Sequence, residues 1–496
     1  MNADSPDAAP SLVTLEGVSL FLPGDPDQRP VLRDIDLTLR EGKHCAFIGP
    51  NGSGKSTLLR LLRGELWPAR GSVFWHTADG AETSPLAGRS MSALVSPALQ
   101  ENYQRQAWDI SGRDMLLTAG DDSPLLYSAP DAVWSVRAEA VAKRLSADAL
   151  LDRSIATLSQ GQLRLLLLAR GLLRAPRLLL LDECANGLDA GMRARFFDLL
   201  AEYMDFCTVV MTSHRPGLIP DWCAERHYIK DGRLVSARCI RSCASVPRHA
   251  PAKDKDGSLP RPGRPKADAV AGDMLLNLKN VTVFVERNEV LHNIDWTVHR
   301  GEHWRISGAN GSGKSTLLRL LAGDEFAAAG GEITRCLPRR GVVRTMEQWR
   351  RGARLVSDLS QALYGYELSG FELVCSGFDN TIGIYRDFST EEQKRVRAIL
   401  AQLHASDLAN ASIRRLSSGQ LRLLFLARAL VGEPEILLLD EPCSGLDAES
   451  RRRYLNLLDN LAESGIHLVF VSHFDEDAPL CINRWARMEN GYMLSP

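Results

Sequence analysis

With 496 residues, the chain is long enough for two or more domains with hydrophobic cores of their own. Its apolar content of 45% and charged content of 24% are those of ordinary globular proteins, and a formal net charge of −2 excludes a general electrostatic grip on nucleic acid or anionic membrane. Ten cysteines with no paired CxxC…CxxC spacing read as reduced thiols and exclude a disulfide frame or a zinc site.

The opening MNADSPDAAPS is polar and acidic, so no export signal is expected there, and residues 1–12 read as a disordered arm. Next, HCAFIGPNGSGKST predicts a short strand ending at Ile48, a loop, and a Leu-patterned helix from Lys55 to near Gly64. Gly49, Gly52 and Gly54 let the backbone turn with its N–H groups inward, a nest for phosphate oxygens, and the helix N-terminus adds positive partial charge. Lys55 is placed to reach the β- and γ-phosphates of a nucleotide, and Ser56 to put its hydroxyl on Mg²⁺.

Further on, LSQGQ places Ser159 as N-cap of a Leu-rich helix, where its hydroxyl and the Gly161 N–H form a second anion site. The leucine-rich stretch after it is broken by Arg164, Arg170, Arg174 and Arg177. It therefore never supplies the roughly 18–20 apolar residues of a membrane span. LLLLDE predicts a central parallel strand, buried on both faces, that ends in two carboxylates. Asp182 would hold Mg²⁺ through water, while Glu183, pointing elsewhere, can polarise an attacking water as general base. His214 follows an apolar run and a serine.

Everything then recurs at an offset of about 259 positions, in the same order and spacing. The second set is Gly308, Gly311, Gly313, Lys314 and Ser315, then Ser417 and Gly419, then Asp440 and Glu441, then His473. Between the copies lies APAKDKDGSLPRPGRPKADAVAG, too rich in Pro, Gly and charge to bury a core. The expected organisation is two domains, 13–245 and 273–496, joined by a flexible linker over 246–272.

LSQGQ and LSSGQ resemble the signature sequence of the ATP-binding-cassette (ABC) family, GLDA its D-loop, and His214 and His473 its switch histidine. The resemblance covers nearly the whole chain. It implies an α/β fold: two P-loop NTPase nucleotide-binding domains in tandem, each with a mostly parallel core sheet, an antiparallel β part and a helical subdomain. ATP and Mg²⁺ are the implied cofactors. Asn51, Ser53 and Thr57, with Asn310, Ser312 and Thr316, would complete the two cradles, and each histidine would meet the γ-phosphate. In the family the signature faces the opposite domain's P-loop, which would make the chain a head-to-tail pseudo-dimer. Lys55, Ser56, Asp182, Glu183 and His214 would pair with Ser417, Gly419 and Gln420. Lys314, Ser315, Asp440, Glu441 and His473 would pair with Ser159, Gly161 and Gln162.

The pattern departs from the family at several points. Cys184 stands where the family has Pro, and Gln160 and Ser418 replace the middle glycine of the signature. Phe21 and Phe284 stand where a tyrosine often stacks on adenine; a packed core phenylalanine is the alternative. The usual Q-loop glutamine would fall at Pro97 and Asp358, but Gln100 and Gln361 come three residues later. They either replace its contact to Mg²⁺ and water or are ordinary surface residues.

Two stretches, SGFDNTIGIY and SHFDEDAPLCINR, resemble the second half of ModF-type (photorepair-type) tandem ATPases, a group associated by name with molybdate transport. The leading expectation is an ATPase at the inner face of a membrane, cytoplasmic, energising separate permease chains. Residues 97–106 and 358–366, with Tyr103 and Tyr364, are the expected docking surface. The alternatives are a soluble ATPase acting on ribosomes or in nucleic-acid repair.

Overall fold

The computed structural model describes residues 9–22, 30–105, 110–127, 131–235, 274–285, 287–357, 367–474 and 477–494. The expected linker over 246–272, Gln361 and the segment 358–366 lie outside the described residues. The chain divides into two compact units, Met1–Val246 and Pro247–Pro496.

In the first unit, a four-stranded sheet runs in the order Leu32–Arg40, Ser11–Leu20, Arg70–Thr77, Gly80–Glu82, all antiparallel. Beside it is a six-stranded sheet: Arg233–Val235, Glu225–Lys230, Cys45–Ile48, Thr208–Ser213, Leu178–Leu181, Ser92–Val95. Its pairings are parallel except for the hairpin of the first two strands. CAFI and LLLL are continuous apolar runs because both faces of those strands are covered; every residue in them is buried. The LLLLDE strand is interior, as its composition predicts, and lies one place in from the edge of the sheet. The helices Gly112–Leu117, Ala132–Arg144 and Gln160–Leu173 form the third part. Their starts are fixed by Ser111, Asp131 and Ser159, each accepting a bond from the first turn of its helix.

The second unit repeats this plan. Its antiparallel sheet runs Asn288–His299, Met274–Val285, Glu332–Leu337, Gly341–Val342. Its six-stranded sheet runs Ala353–Val356, Ile436–Asp440, His467–Val471, Trp304–Gly308, Arg484–Glu489, Tyr492–Leu494. Helices Gly370–Cys375, Thr390–Gln402 and Ser418–Leu430 all open on serine capping boxes.

A buried tryptophan seats the helix after each glycine loop. Trp75 Nε1 donates to the Leu62 carbonyl at 2.7 Å, and Trp349 Nε1 to the Leu321 carbonyl at 2.5 Å. Each indole thus satisfies a carbonyl at the C-terminal end of that helix, which otherwise lacks a partner. Gly88 is required beside Trp75, because a Cβ there would come 2.6 Å from the indole nitrogen.

Candidate functional site

Each glycine loop joins a buried strand to a helix that starts on a left-handed glycine, Gly54 at φ 102° and Gly313 at φ 99°. A side chain at Gly54 would also come 2.9 Å from Leu32 Cδ2, so both conformation and space call for glycine. The lysine that follows is buried and folded back over its own loop. Lys55 Nζ donates to the carbonyls of Gly49 and Pro50 at 3.0 and 2.9 Å, and Lys314 Nζ to Gly308 and Ala309 at 3.0 and 2.7 Å. Ser53 Oγ and Ser312 Oγ are buried with no hydrogen-bond partner. Two buried ammonium groups and two unsatisfied hydroxyls at glycine-rich turns suit an anion of phosphate geometry.

Asp182 and Glu183 come together with this loop. Burial raises the Asp182 carboxyl above its ordinary value, opposed by hydrogen bonds from Thr212 and Ser56. Thr212 Oγ1 donates to Asp182 Oδ1 at 2.6 Å and accepts from the Glu183 N–H at 3.0 Å. Glu183 lies 3.4 Å from Lys55 Nζ through Oε1 and 3.4 Å from His214 Nδ1 through Oε2. Burial alone would push its carboxyl up, but His214 and Lys55 outweigh it and hold it below the usual range. In the second unit burial likewise raises Asp440, against a hydrogen bond from Ser315, and His473 Nε2 lies 2.6 Å from Glu441 Oε1. Both glutamates are left-handed, at φ 45° and 44°. For a non-glycine residue that conformation costs on the order of 1–3 kcal/mol, and such strain clusters at working sites. It turns each glutamate off the strand line that its neighbouring aspartate ends.

The pairing of Ser56 with Asp182 and of Ser315 with Asp440 tests the fit of Mg²⁺. A hydroxyl and a carboxylate side by side at the phosphate cradle are hard oxygen donors of the kind Mg²⁺ takes, so the residues fit.

Ser159 and Ser417 start their helices as expected, with a reciprocal partner. Each Oγ accepts from the N–H of Gln162 or Gln420 at 3.3 Å, and each glutamine Oε1 accepts back from the serine N–H, at 3.0 and 2.9 Å. Phe21 and Phe284 are 41% and 51% exposed, so neither is a packed core residue. Gln100 is buried, not an ordinary surface residue, and accepts a bond from Arg164 Nε at 2.6 Å. Tyr103 does not belong to an outward docking surface: it is 1% exposed, with its hydroxyl 3.3 Å from Thr118 Oγ1. The helix Pro97–Arg105 turns its tyrosine into the apolar core, which a pattern of polar neighbours did not reveal.

In the sequence the arginines of the signature helices read only as breaks in an apolar run; the structure gives them a bonding role. Arg170 Nε donates to Thr118 Oγ1 at 2.8 Å and its Nη2 to the Ser123 carbonyl at 2.7 Å. Arg428 repeats both, to Ser376 Oγ at 3.0 Å and the Thr381 carbonyl at 2.8 Å. Burial, then the charge of Arg354, pushes the Arg428 guanidinium down to about 10. The clamped turns are TAGDDSPLLY and SGFDNTIGIY, so the stretch singled out in the second half has a counterpart in the first. The signal was available: LRLLLLAR and LRLLFLAR carry arginines at the same offsets.

The profile of the family described as ABC transporter matches residues 32–186 and 291–444. The ABC transporter ATP-binding protein ModF of Escherichia coli K12 is 34% identical over 460 residues, covering 90% of this chain and 91% of that protein. The ribose import ATP-binding protein RbsA of Caldanaerobacter subterraneus subsp. tengcongensis is 24% identical over 466 residues, covering 89% and 88%. Among solved structures, a chain in the complex of archaeal ribosomal stalk protein aP1 with the ribosome recycling factor aABCE1 superposes with a TM-score of 0.59 at 20% identity. That match covers 97% of this chain and 90% of the other. At that identity the likeness is one of fold.

Proposed function

The chain belongs to the ABC transporter family, as a protein with two such domains in tandem, and is an ATP hydrolase; from that premise we propose that it hydrolyses Mg-ATP at both halves to energise a separate membrane permease. The observation that carries the reading is that both units keep lysine, aspartate, glutamate and histidine, with Glu183 beside His214 and Glu441 beside His473. Many duplicated ATPases could let one site decay; here neither set has lost a member.

In this reading Lys55 and Lys314 give up the loop carbonyls they now hold and take the β- and γ-phosphate oxygens. Ser56 with Asp182, and Ser315 with Asp440, would hold Mg²⁺, which when bound neutralises charge on the phosphates. Glu183 and Glu441 orient a water and accept its proton, and His214 and His473 meet the γ-phosphate. Phe21 and Phe284 stack on adenine. Ser159 and Ser417 stand at the starts of the two signatures, which in the family serve the nucleotide of an opposite domain.

Among the described residues no helix is long and apolar enough to cross a membrane, so a transport role requires a partner that does. An oxyanion of the molybdate kind as cargo is supported by the sequence resemblance alone. The ribosomal alternative draws on fold likeness and enters as an outcome of the test. Glu183→Gln and Glu441→Gln should each lower ATP turnover, by ~10²–10⁴-fold at the altered site. Affinity capture of the double variant in ATP from detergent-solubilised cells should then recover an integral membrane protein. Recovery of ribosomes or repair factors in its place would sink the transport reading while leaving the ATPase intact.

A further inference from the structure

The two oxygens of the Glu183 carboxylate have different neighbours. Oε2 accepts from Asn186 Nδ2 at 2.7 Å, and that same amide nitrogen lies 3.5 Å from His214 Nδ1. Oε1 is turned to Lys55, the side on which the phosphate cradle lies. Asn186 therefore anchors one oxygen and leaves the other toward the nucleotide. His214 Nε2 is meanwhile buried without a hydrogen-bond partner, available to another group.

The matching position in the second unit is Ser444, in CSGLDA against ANGLDA. The backbones agree: Asn186 N donates to the Glu183 carbonyl at 3.1 Å, and Ser444 N to the Glu441 carbonyl at 3.0 Å. The difference lies in the side chains. Serine is shorter by the carboxamide, and no hydrogen bond joins its hydroxyl to Glu441 among the described residues. Without that anchor, His473 crowds the carboxylate, Nε2 to Oε1 at 2.6 Å, a close approach without hydrogen-bond angles. A second exchange acts in the same direction. Thr212, which ties Asp182 to the Glu183 N–H, is replaced by Val471, and the Glu441 N–H turns to the Val471 carbonyl at 3.1 Å.

We propose that Asn186 is a positioning residue for Glu183, and that Ser444 in its place makes the second unit the slower of two unequal hydrolytic sites. The inference rests on Glu183 and Glu441 being the water-polarising carboxylates. At the first site Asn186 anchors the glutamate, and His214, 3.4 Å from the same oxygen through Nδ1, keeps its Nε2 unengaged. At the second, the imidazole Nε2 sits against the carboxylate oxygen, and the two must part before either meets water or phosphate. A charge-assisted bond from a fixed amide is the kind of orienting contact on which such a site depends.

The test compares sites one at a time in the full chain. With Glu441→Gln silencing the second site, Asn186→Ser should lower kcat about tenfold, about 1.4 kcal/mol, at unchanged KM for Mg-ATP. With Glu183→Gln silencing the first, Ser444→Asn should raise kcat several-fold, a gain that misfolding cannot mimic. If either background is silent at both sites, the same two substitutions are read in the chain with both glutamates, with the same signs expected. Parallel changes in kcat and KM, no change with Asn186→Ser, or no gain with Ser444→Asn would overturn the inference. Unaltered turnover in both Glu→Gln variants would show instead that the underlying assignment is wrong, and the inference falls with it.

Discussion

Arg164 Nε donates to Gln100 Oε1 at 2.6 Å, and its Nη1 donates to the Cys184 carbonyl at 2.8 Å. One buried guanidinium thus ties the signature helix to the segment after strand Ser92–Val95 and to the residue following Glu183. Burial lowers its pKa, with Cys184 and Asp182 opposing. Arg164→Met should leave the Gln100 carbonyl and the Cys184 carbonyl unsatisfied, and Gln100→Ala should leave a buried cation short of an acceptor. Each should destabilise the helix Gln160–Leu173 by about 3 kcal/mol, read as faster hydrogen exchange of its amides. Unchanged exchange in both variants would refute the tie.

Trp75→Phe and Trp349→Phe should each remove the indole bond to the preceding helix and open a small cavity. A loss of about 1–3 kcal/mol is expected in each unit, measured as the shift in its own unfolding transition. Equal stability to the parent chain would mean that the helix-end carbonyl finds another donor.

Gly49 and Gly52 should answer differently to substitution. A Cβ at Gly49 would come 2.1 Å from the Ile229 carbonyl, whereas Gly52, at φ 74°, has open space around it. Gly49→Ala should therefore abolish nucleotide binding at the first site, while Gly52→Asn, an amino acid tolerant of that conformation, should retain it within about tenfold. The measurement is titration with a fluorescent ATP analogue in the Lys314→Ala background, which confines binding to the first site.

Acid should weaken the second unit through His303. Burial first, then the neighbouring His467, lowers its imidazole from 6.5 to about 4. The folded state thus prefers the neutral ring, whose Nδ1 accepts from the Leu468 N–H at 3.3 Å. Stability should be full above pH 6.5 and fall as pH drops from there towards about 4, below which the folded ring is protonated too. His303→Asn keeps an acceptor without the titration and should flatten that part of the profile. A slope as steep as the parent's would assign it to other groups.

The sequence made the two domains, the glycine loops, the acidic strands and the serine caps legible, because each depends on residues adjacent in the chain. LLLLDE is a buried strand with carboxylates at its end whatever surrounds it. Tyr103 was misread because its burial depends on helices distant in sequence closing over it. The roles of Asn186 and Arg164 went unread because their partners are set by geometry: a strained glutamate three residues back, and a glutamine 64 positions away. Gln100 was seen, but only the fold shows that its carbonyl is taken by an arginine.

The capping boxes at Ser159 and Ser417 carry a consequence of valence. A serine hydroxyl has one hydrogen to give and two lone pairs to receive. In each box one lone pair is engaged by the N–H of Gln162 or Gln420. The hydrogen is left over, so one atom can begin a helix and still donate to an anion. Aspartate at either position would begin the helix as well as serine does, yet it has no hydrogen to offer and brings a repelling charge. Ser159→Asp and Ser417→Asp therefore separate two duties of a single oxygen, keeping the helix start and cancelling the welcome to phosphate.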